Sequence, residues 1–256
     1  MKNFIVIVTL CLFCLLSINT PNAFSQESCP KTLEAVKKDK KYELLKENLY
    51  HFKQGDFSLS CAYEENGKIH FEIPYVADKR EGISKNYYEN GNLSSEVPYV
   101  AGKKEGVEKL YYESGNLSSE TPYVASEKEG IQKIYYESGA LGFEFPYVAG
   151  KVEGIIKAYY ESGRLKGEFP YVADKQEGVE KRYYENGKIN TEIPLVAGKL
   201  EGTAKYYNES GKLEFEISCA NDLVVSGICC NKNGKTRAWT DQELADFEIG
   251  KMPKCD

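Results

Sequence analysis

Between residues 58 and 217 one 24-residue phrase is repeated seven times, and this period constrains the fold more than any other feature. A clear instance runs from Gly106 to Glu129 and reads GVEKLYYESGNLSSETPYVASEKE, after which Gly130 opens the next copy. One glycine series falls at Gly67, Gly91, Gly115, Gly139, Gly163, Gly187 and Gly211. A second runs Gly82, Gly106, Gly130, Gly154, Gly178 and Gly202, each preceded by Glu. Pro-Tyr-Val recurs from Pro74 to Pro170 and becomes Pro194-Leu195-Val196 in the sixth copy. Arrays of this kind are held together mainly by contacts between neighbouring units.

Each unit reads as a β-hairpin. The first strand runs from the Glu-Gly corner to Tyr-Tyr-Glu, and the turn is Asn-Gly or Ser-Gly. Asn-Gly between β-rich runs predicts a two-residue turn with positive φ at both positions. The second strand carries the proline, which the sequence predicts at a frayed strand end. A six-residue corner such as 149–154 returns the chain. The two-residue turn sets Glu89 opposite Asn92, Tyr88 opposite Leu93, and Lys85 opposite Glu96. A three-residue turn with a bulge would break the last match.

Repeated through the array, this register predicts a structural ladder of Lys85, Glu96, Lys109, Glu120, Lys133, Glu144, Lys157, Glu168, Lys181 and Glu192 along one face. Tyr88, Leu93, Val97, Tyr99 and their equivalents, with Phe143, Phe145, Phe169, Ile193 and Ile217, form the other face and the expected core. Seven hairpins at two strand spacings each predict an elongated single-layer antiparallel meander ~65 Å long.

The ends differ. Residues 1–25 read as a cleavable export signal, with Lys2, an apolar run from Phe4 to Leu16, and cleavage after Ser25. Residues 26–57 form a short helical N-terminal cap, with helical spacing over 31–38 and 42–50. Residues 218–256 form a Cys-rich C-terminal cap with a strand over 223–228, a turn over 231–235, and one short helix. Thr240-Asp-Gln-Glu243 opens that helix as a capping box, and Gly250 closes it.

Without the leader the chain has 32 basic and 39 acidic residues, net −7. That balance disfavours nucleic acid and anionic lipid as bulk electrostatic partners. Six cysteines remain: Cys29, Cys61, Cys219, Cys229, Cys230 and Cys255. An even number in an exported chain points to disulfides, and their position at the two ends of the array suggests staples. Cys29–Cys61 is the expected pair at one end. The other four are expected to pair among themselves, with Cys229 and Cys230 taking separate partners. Among these six no Cys-x-x-Cys occurs, and the histidines are only His51 and His70, so neither a metal site nor another cofactor is expected.

Tyr87, Tyr111, Tyr135, Tyr159, Tyr183 and Tyr207 form a candidate binding ladder on the charged face, ~9.6 Å from rung to rung. The competing reading is that tyrosines shield a thin sheet. The glutamates make poor catalytic acids, because hydrolysis needs one or two carboxylates singled out by their surroundings and these share one setting.

The unit Tyr-Tyr-Glu-Asn/Ser-Gly-x-Leu … Glu-Gly resembles the MORN repeat in its bacterial variant form, over roughly residues 58–217. The resemblance implies an elongated meander of hairpins used as a scaffold or interaction surface. Many bacterial relatives carry an antitoxin label, from whose cytosolic setting an exported, disulfide-stapled chain departs. The expectation is a non-enzymatic, periplasmic or secreted scaffold that binds another protein in the cell envelope. The alternative is a module that binds cell-wall glycan through the tyrosine ladder.

Overall fold

The computed structural model describes residues 27–231, 235–248, 251 and 255. The leader and Gly250 lie outside the described residues. The fold is one open, wholly antiparallel sheet, laid down from Glu43–Lys46 at one edge to Thr236–Ala238 at the other, with seven repeats between. A typical repeat contributes Gly106–Tyr111, Leu117–Val124 and the short Glu127–Lys128. That short strand and the following Gly130–Tyr135 both pair with Leu117–Val124, so they are one strand interrupted by a bulge.

The turn chemistry differs from the sequence expectation in an instructive way. In the second repeat the Gly91 N–H donates to the Tyr88 carbonyl and the Tyr88 N–H to the Asn92 carbonyl, both at 2.8 Å. The loop is therefore three residues, Glu89-Asn90-Gly91, with Gly91 alone at positive φ (90°). This is the three-residue hairpin with a left-handed glycine. It moves Glu89 into the loop and sets Tyr87, not Tyr88, opposite Leu93. An extra residue at Ser94 then restores the register, so Asn86 faces Ser95 and Lys85 still faces Glu96. Leu93 consequently shares a face with Tyr87 and not with Val97.

The mirror-type two-residue turn sits instead at the corner. Val148 pairs with Lys151 around Ala149 (φ 48°) and Gly150 (φ 78°). The corner glutamate supports the turn one repeat further on: the Ala149 N–H donates to Glu129 Oε2 at 2.8 Å, and the Ala173 N–H to Glu153 Oε2 at 2.8 Å.

Proline is not at a frayed end. Pro146 lies inside Leu141–Val148, and its carbonyl accepts from the Glu153 N–H at 3.1 Å. N–H and C=O of one strand residue point the same way, so the missing proline N–H faces the Glu153-Gly154 bulge, where no ladder bond is lost. Gly154 has φ 115°, and a Cβ there would lie 3.3 Å from Pro146 Cγ. The Glu-Gly and Pro signatures are thus two halves of one contact.

The buried core sits at the ends. At the N-terminal end, α1 (Leu33–Lys38) packs Val36 with Cys29, Tyr42, Tyr50, Phe52, Leu59, Cys61 and Tyr63. Of the one or two short helices expected here, α1 forms, while Glu43–Lys46 and Leu49–Gln54 are strands. Leu44 and Leu45 are 61% and 58% exposed, so the apolar spacing there does not mark a buried helical face. At the C-terminal end, Phe215, Ile217, Cys219, Cys229 and Trp239 cluster beneath α2 (Asp241–Glu248). Its capping box is formed, with Thr240 N–H donating to Glu243 Oε2 at 2.9 Å and Glu243 N–H to Thr240 Oγ1 at 3.3 Å. Trp239 lies flat over Gly227, where any Cβ would fall within 2.1 Å of the indole.

Between the ends the sheet is one layer. Val97, Thr121, Ile156, Ala158 and Thr191 are buried on the face away from the Lys–Glu line, whereas Phe143 is exposed. Side chains bind successive hairpins together here. The second tyrosine of each pair donates its O–H to the carbonyl of the next repeat's first tyrosine, from Tyr88→Tyr111 to Tyr184→Tyr207, at 2.5–2.8 Å.

Disulfides join Cys29–Cys61 and Cys229–Cys255. Cys219 and Cys230 carry free thiols, which corrects the expectation that all four C-terminal cysteines pair. Cys219 stands opposite Val224, so it lies about five residues, or ~17 Å, along the ladder from Cys230, far beyond disulfide reach.

Candidate interaction face

The two compensating offsets in each hairpin leave the charged residues in one unbroken line. Glu72, Lys85, Glu96, Lys109, Glu120, Lys133 and Glu144 are successive register partners. The line continues through Lys157, Glu168, Lys181, Glu192, Lys205 and Glu216. Among the described residues, Lys85–Glu72 closes to 3.1 Å, and Lys109–Glu120 and Lys205–Glu216 to 3.9 Å.

The first tyrosines stand on the same face, and their hydroxyls are committed. Tyr87 donates to Glu72 Oε1 at 3.0 Å, Tyr111 to Glu96 at 3.0 Å and Tyr135 to Glu120 at 3.0 Å. Tyr159 donates to Glu144 at 2.7 Å, Tyr183 to Glu168 at 2.8 Å and Tyr207 to Glu192 at 2.8 Å. Burial, followed by the hydrogen bond to the carboxylate, pushes the phenols of Tyr111, Tyr135, Tyr159, Tyr183 and Tyr207 up to about 12. For Tyr87 burial and the nearby Glu72 charge raise it further. The tyrosine ladder therefore presents half-buried rings whose protons already have acceptors.

Sequence reasoning missed a second feature of this face. Ile83, Val107, Ile131, Ile155 and Val179 follow the Glu-Gly glycines, and alternation puts them beside the charged line. They are 44–52% exposed. Val100, Val124, Val148, Val172 and Val196, the last residues of the Pro-Tyr-Val phrase, are 50–52% exposed on the same side. Together with the prolines paired to the first row, they make an aliphatic band along the array. The available signal was a β-branched aliphatic residue in the same two slots of copy after copy. In the last copy Thr203 and Ala220 occupy those slots, and the band ends.

In the first repeat the face is already covered. Leu59, in the slot of Ile83, is only 2% exposed and packs with Cys29 and Val36. The Cys29 N–H donates to Glu72 Oε2 at 3.0 Å, and Tyr63, in the first-tyrosine slot, donates its O–H to the Pro30 carbonyl at 2.6 Å. Lys31 Nζ stands 5.2 Å from the Tyr87 ring centroid. The histidines are elsewhere engaged: His51 Nδ1 lies 3.3 Å from Ser60 Oγ, and His70 contacts the Glu64 carboxylate.

An open sheet of stacked hairpins that offers one face again and again is a repeat scaffold. The MORN repeat variant model matches residues 59–77, 80–101, 104–125, 128–149, 152–173, 176–196 and 200–220. These matches cover more than half of the chain, and the chain belongs to the MORN repeat variant family. No curated protein matches it.

Proposed function

We propose that this chain is a non-enzymatic, exported scaffold that docks another protein of the cell envelope along its aliphatic band. The observation that carries the reading is the band itself: ten half-exposed Ile and Val side chains in register beside a charge-alternating line. The charged line keeps the band soluble and sets the register of whatever docks, since misaligned like charges are costly. Two disulfides flanking the array suit an oxidising compartment. Among the described residues no helix is long and apolar enough to cross a membrane.

The test compares folded wild-type chain with a Val124→Lys, Val148→Lys variant as bait in envelope extract. The wild type should retain a partner that the variant loses. Equal retention by both removes the band from the account, and a chain found only in the cytosol removes the export.

A further inference from the structure

We propose that the face away from the Lys–Glu line carries a second, separate site: a column of alternating tyrosines and cations over the second to fourth repeats that binds an acidic, carboxylate-bearing oligosaccharide. The proposal stands apart from the docking reading, which concerns the opposite side of the sheet.

Strand alternation turns the tyrosine of each Pro-Tyr-Val phrase away from the Lys–Glu line. Tyr75 pairs in register with Arg80, Tyr99 with Lys104 and Tyr123 with Lys128. Each cation also reaches forward to the tyrosine of the following phrase. Arg80 Cζ lies 5.1 Å from the Tyr99 ring centroid, Lys104 Nζ 4.7 Å from that of Tyr123, and Lys128 Nζ 4.5 Å from that of Tyr147. Ring and cation thus alternate in one line from Tyr75 to Tyr147, with successive cations ~9.6 Å apart.

The later repeats show that the fold does not require these cations. The same slot holds Val152, Gln176 and Leu200 in the fifth, sixth and seventh repeats, and these keep the register opposite Tyr147, Tyr171 and Leu195. Four residues further on, the slot holds Ser84, Glu108 and Gln132 beside the cations, but Ile156 and Ala204 in the fifth and seventh repeats. Apolar side chains serve the sheet in both slots. The polar set over three consecutive repeats is therefore not a requirement of hairpin stacking.

Two of the three cations have no carboxylate. Lys104 Nζ closes on Glu108 at 2.6 Å. Among the described residues Arg80 instead donates to the Tyr99 hydroxyl at 2.9 Å, and Lys128 Nζ to Gln132 Oε1 at 3.2 Å and the Tyr147 hydroxyl at 3.4 Å. These two charges stand two repeats, ~19 Å, apart. Tyr99 and Tyr147 act here as acceptors, so their own O–H protons have no acceptor among the described residues. The first-tyrosine row differs, since its protons go to glutamates. Ser84, beside Arg80, is 4% exposed and its hydroxyl has no hydrogen-bond partner. Cations suit carboxylates, and phenol protons suit sugar hydroxyls. The cation slots lie beside Ser84, Glu108 and Gln132 and not beside an aliphatic row, a setting that favours an acidic sugar over an apolar peptide or an acyl chain.

The probe is a fluorescently labelled oligogalacturonate, titrated into the full chain by anisotropy, with its methyl ester as the uncharged control. The acid should bind at least about tenfold more tightly than the ester. Arg80→Gln with Lys128→Gln should weaken the acid by at least about tenfold, the effect of losing charge-assisted hydrogen bonds. Glutamine already fills this slot at Gln176, so the variant should keep the wild-type melting temperature. Ile131→Thr, on the docking face, should leave the affinity unchanged. Equal affinity for acid and ester, no binding of the acid, or indifference to the Arg80 and Lys128 changes overturns the proposal. So does an anionic phospholipid vesicle that binds through Arg80 and Lys128 where the oligosaccharide does not. Each of these failures leaves the docking reading standing, because that reading depends on Val124 and Val148 on the other face.

Discussion

Replacing Glu129 by Ala removes the acceptor for the Ala149 N–H, a 2.8 Å bond that braces a turn two strands away. The same bond recurs from Glu81, Glu105, Glu153, Glu177 and Glu201 at 2.7–2.9 Å. A hydrogen bond to a charged group contributes about 1.5–3 kcal/mol when sheltered. Here both partners are exposed and water replaces part of the loss, so we expect about 1 kcal/mol. Ala149 also sits at φ 48°, a left-handed conformation that costs an alanine about 1–2 kcal/mol, and the brace helps hold it there. A loss of 1 kcal/mol raises the local opening constant about fivefold. Native-state hydrogen exchange reads this at the Ala149 amide, against Glu137→Ala in an exposed hairpin loop as control. Exchange should accelerate about fivefold around residues 148–151 and stay unchanged near both disulfides, since the array is coupled mainly to nearest neighbours. Equal protection in Glu129→Ala and Glu137→Ala refutes the brace.

Raising pH tests the tyrosine–glutamate row. Folded phenols at about 12 against 10 for the free side chain mean that the stabilisation is complete below pH 10 and is lost as pH climbs toward 12. A tyrosinate absorbance titration should show these groups ionising late, together with loss of sheet signal; ionisation near 10 in the folded chain contradicts the row. Gly154→Ala should lower the melting temperature more than Gly150→Ala. The first meets Pro146 at 3.3 Å from a φ of 115°, while the second meets nothing within 4 Å; equal shifts remove the proline–glycine contact from the account. Removing Cys29–Cys61, which closes a separation of 32 residues, should cost about 4 kcal/mol locally. Hydrogen exchange should then quicken over residues 43–76 and not over 130–172, and uniform quickening contradicts end-localised stapling. Thiol titration of the denatured, unreduced chain without residues 1–25 should find two free sulfhydryls, Cys219 and Cys230; six would contradict both bridges.

The repeat period made the open meander legible, because glycine, proline and tyrosine recur in fixed slots. The turns were harder. Asn90-Gly91 suggests a two-residue turn, but the mirror-type turn falls at Ala-Gly and Ala-Asp corners that propensity does not favour. The Lys85–Glu96 match holds because the three-residue loop and the extra Ser94 offset each other, and no residue preference at Ser94 announces that bulge. The same offset moved Leu93 to the tyrosine face. Helical spacing over 42–50 misled because Leu44 and Leu45 face solvent at a sheet edge. In the candidate site the row of tyrosines was legible. Its partners were not, since each Tyr–Glu bond joins neighbouring hairpins and depends on the register between them.

Site-specific photo-crosslinking tests the docking claim most directly. A photoreactive residue at Val124 or Ile131, compared with Phe143 on the reverse face, reports which side of the sheet a partner covers in the intact envelope. A discrete crosslinked protein should form from Val124 and Ile131 and none from Phe143. Crosslinks from Phe143 alone would contradict it.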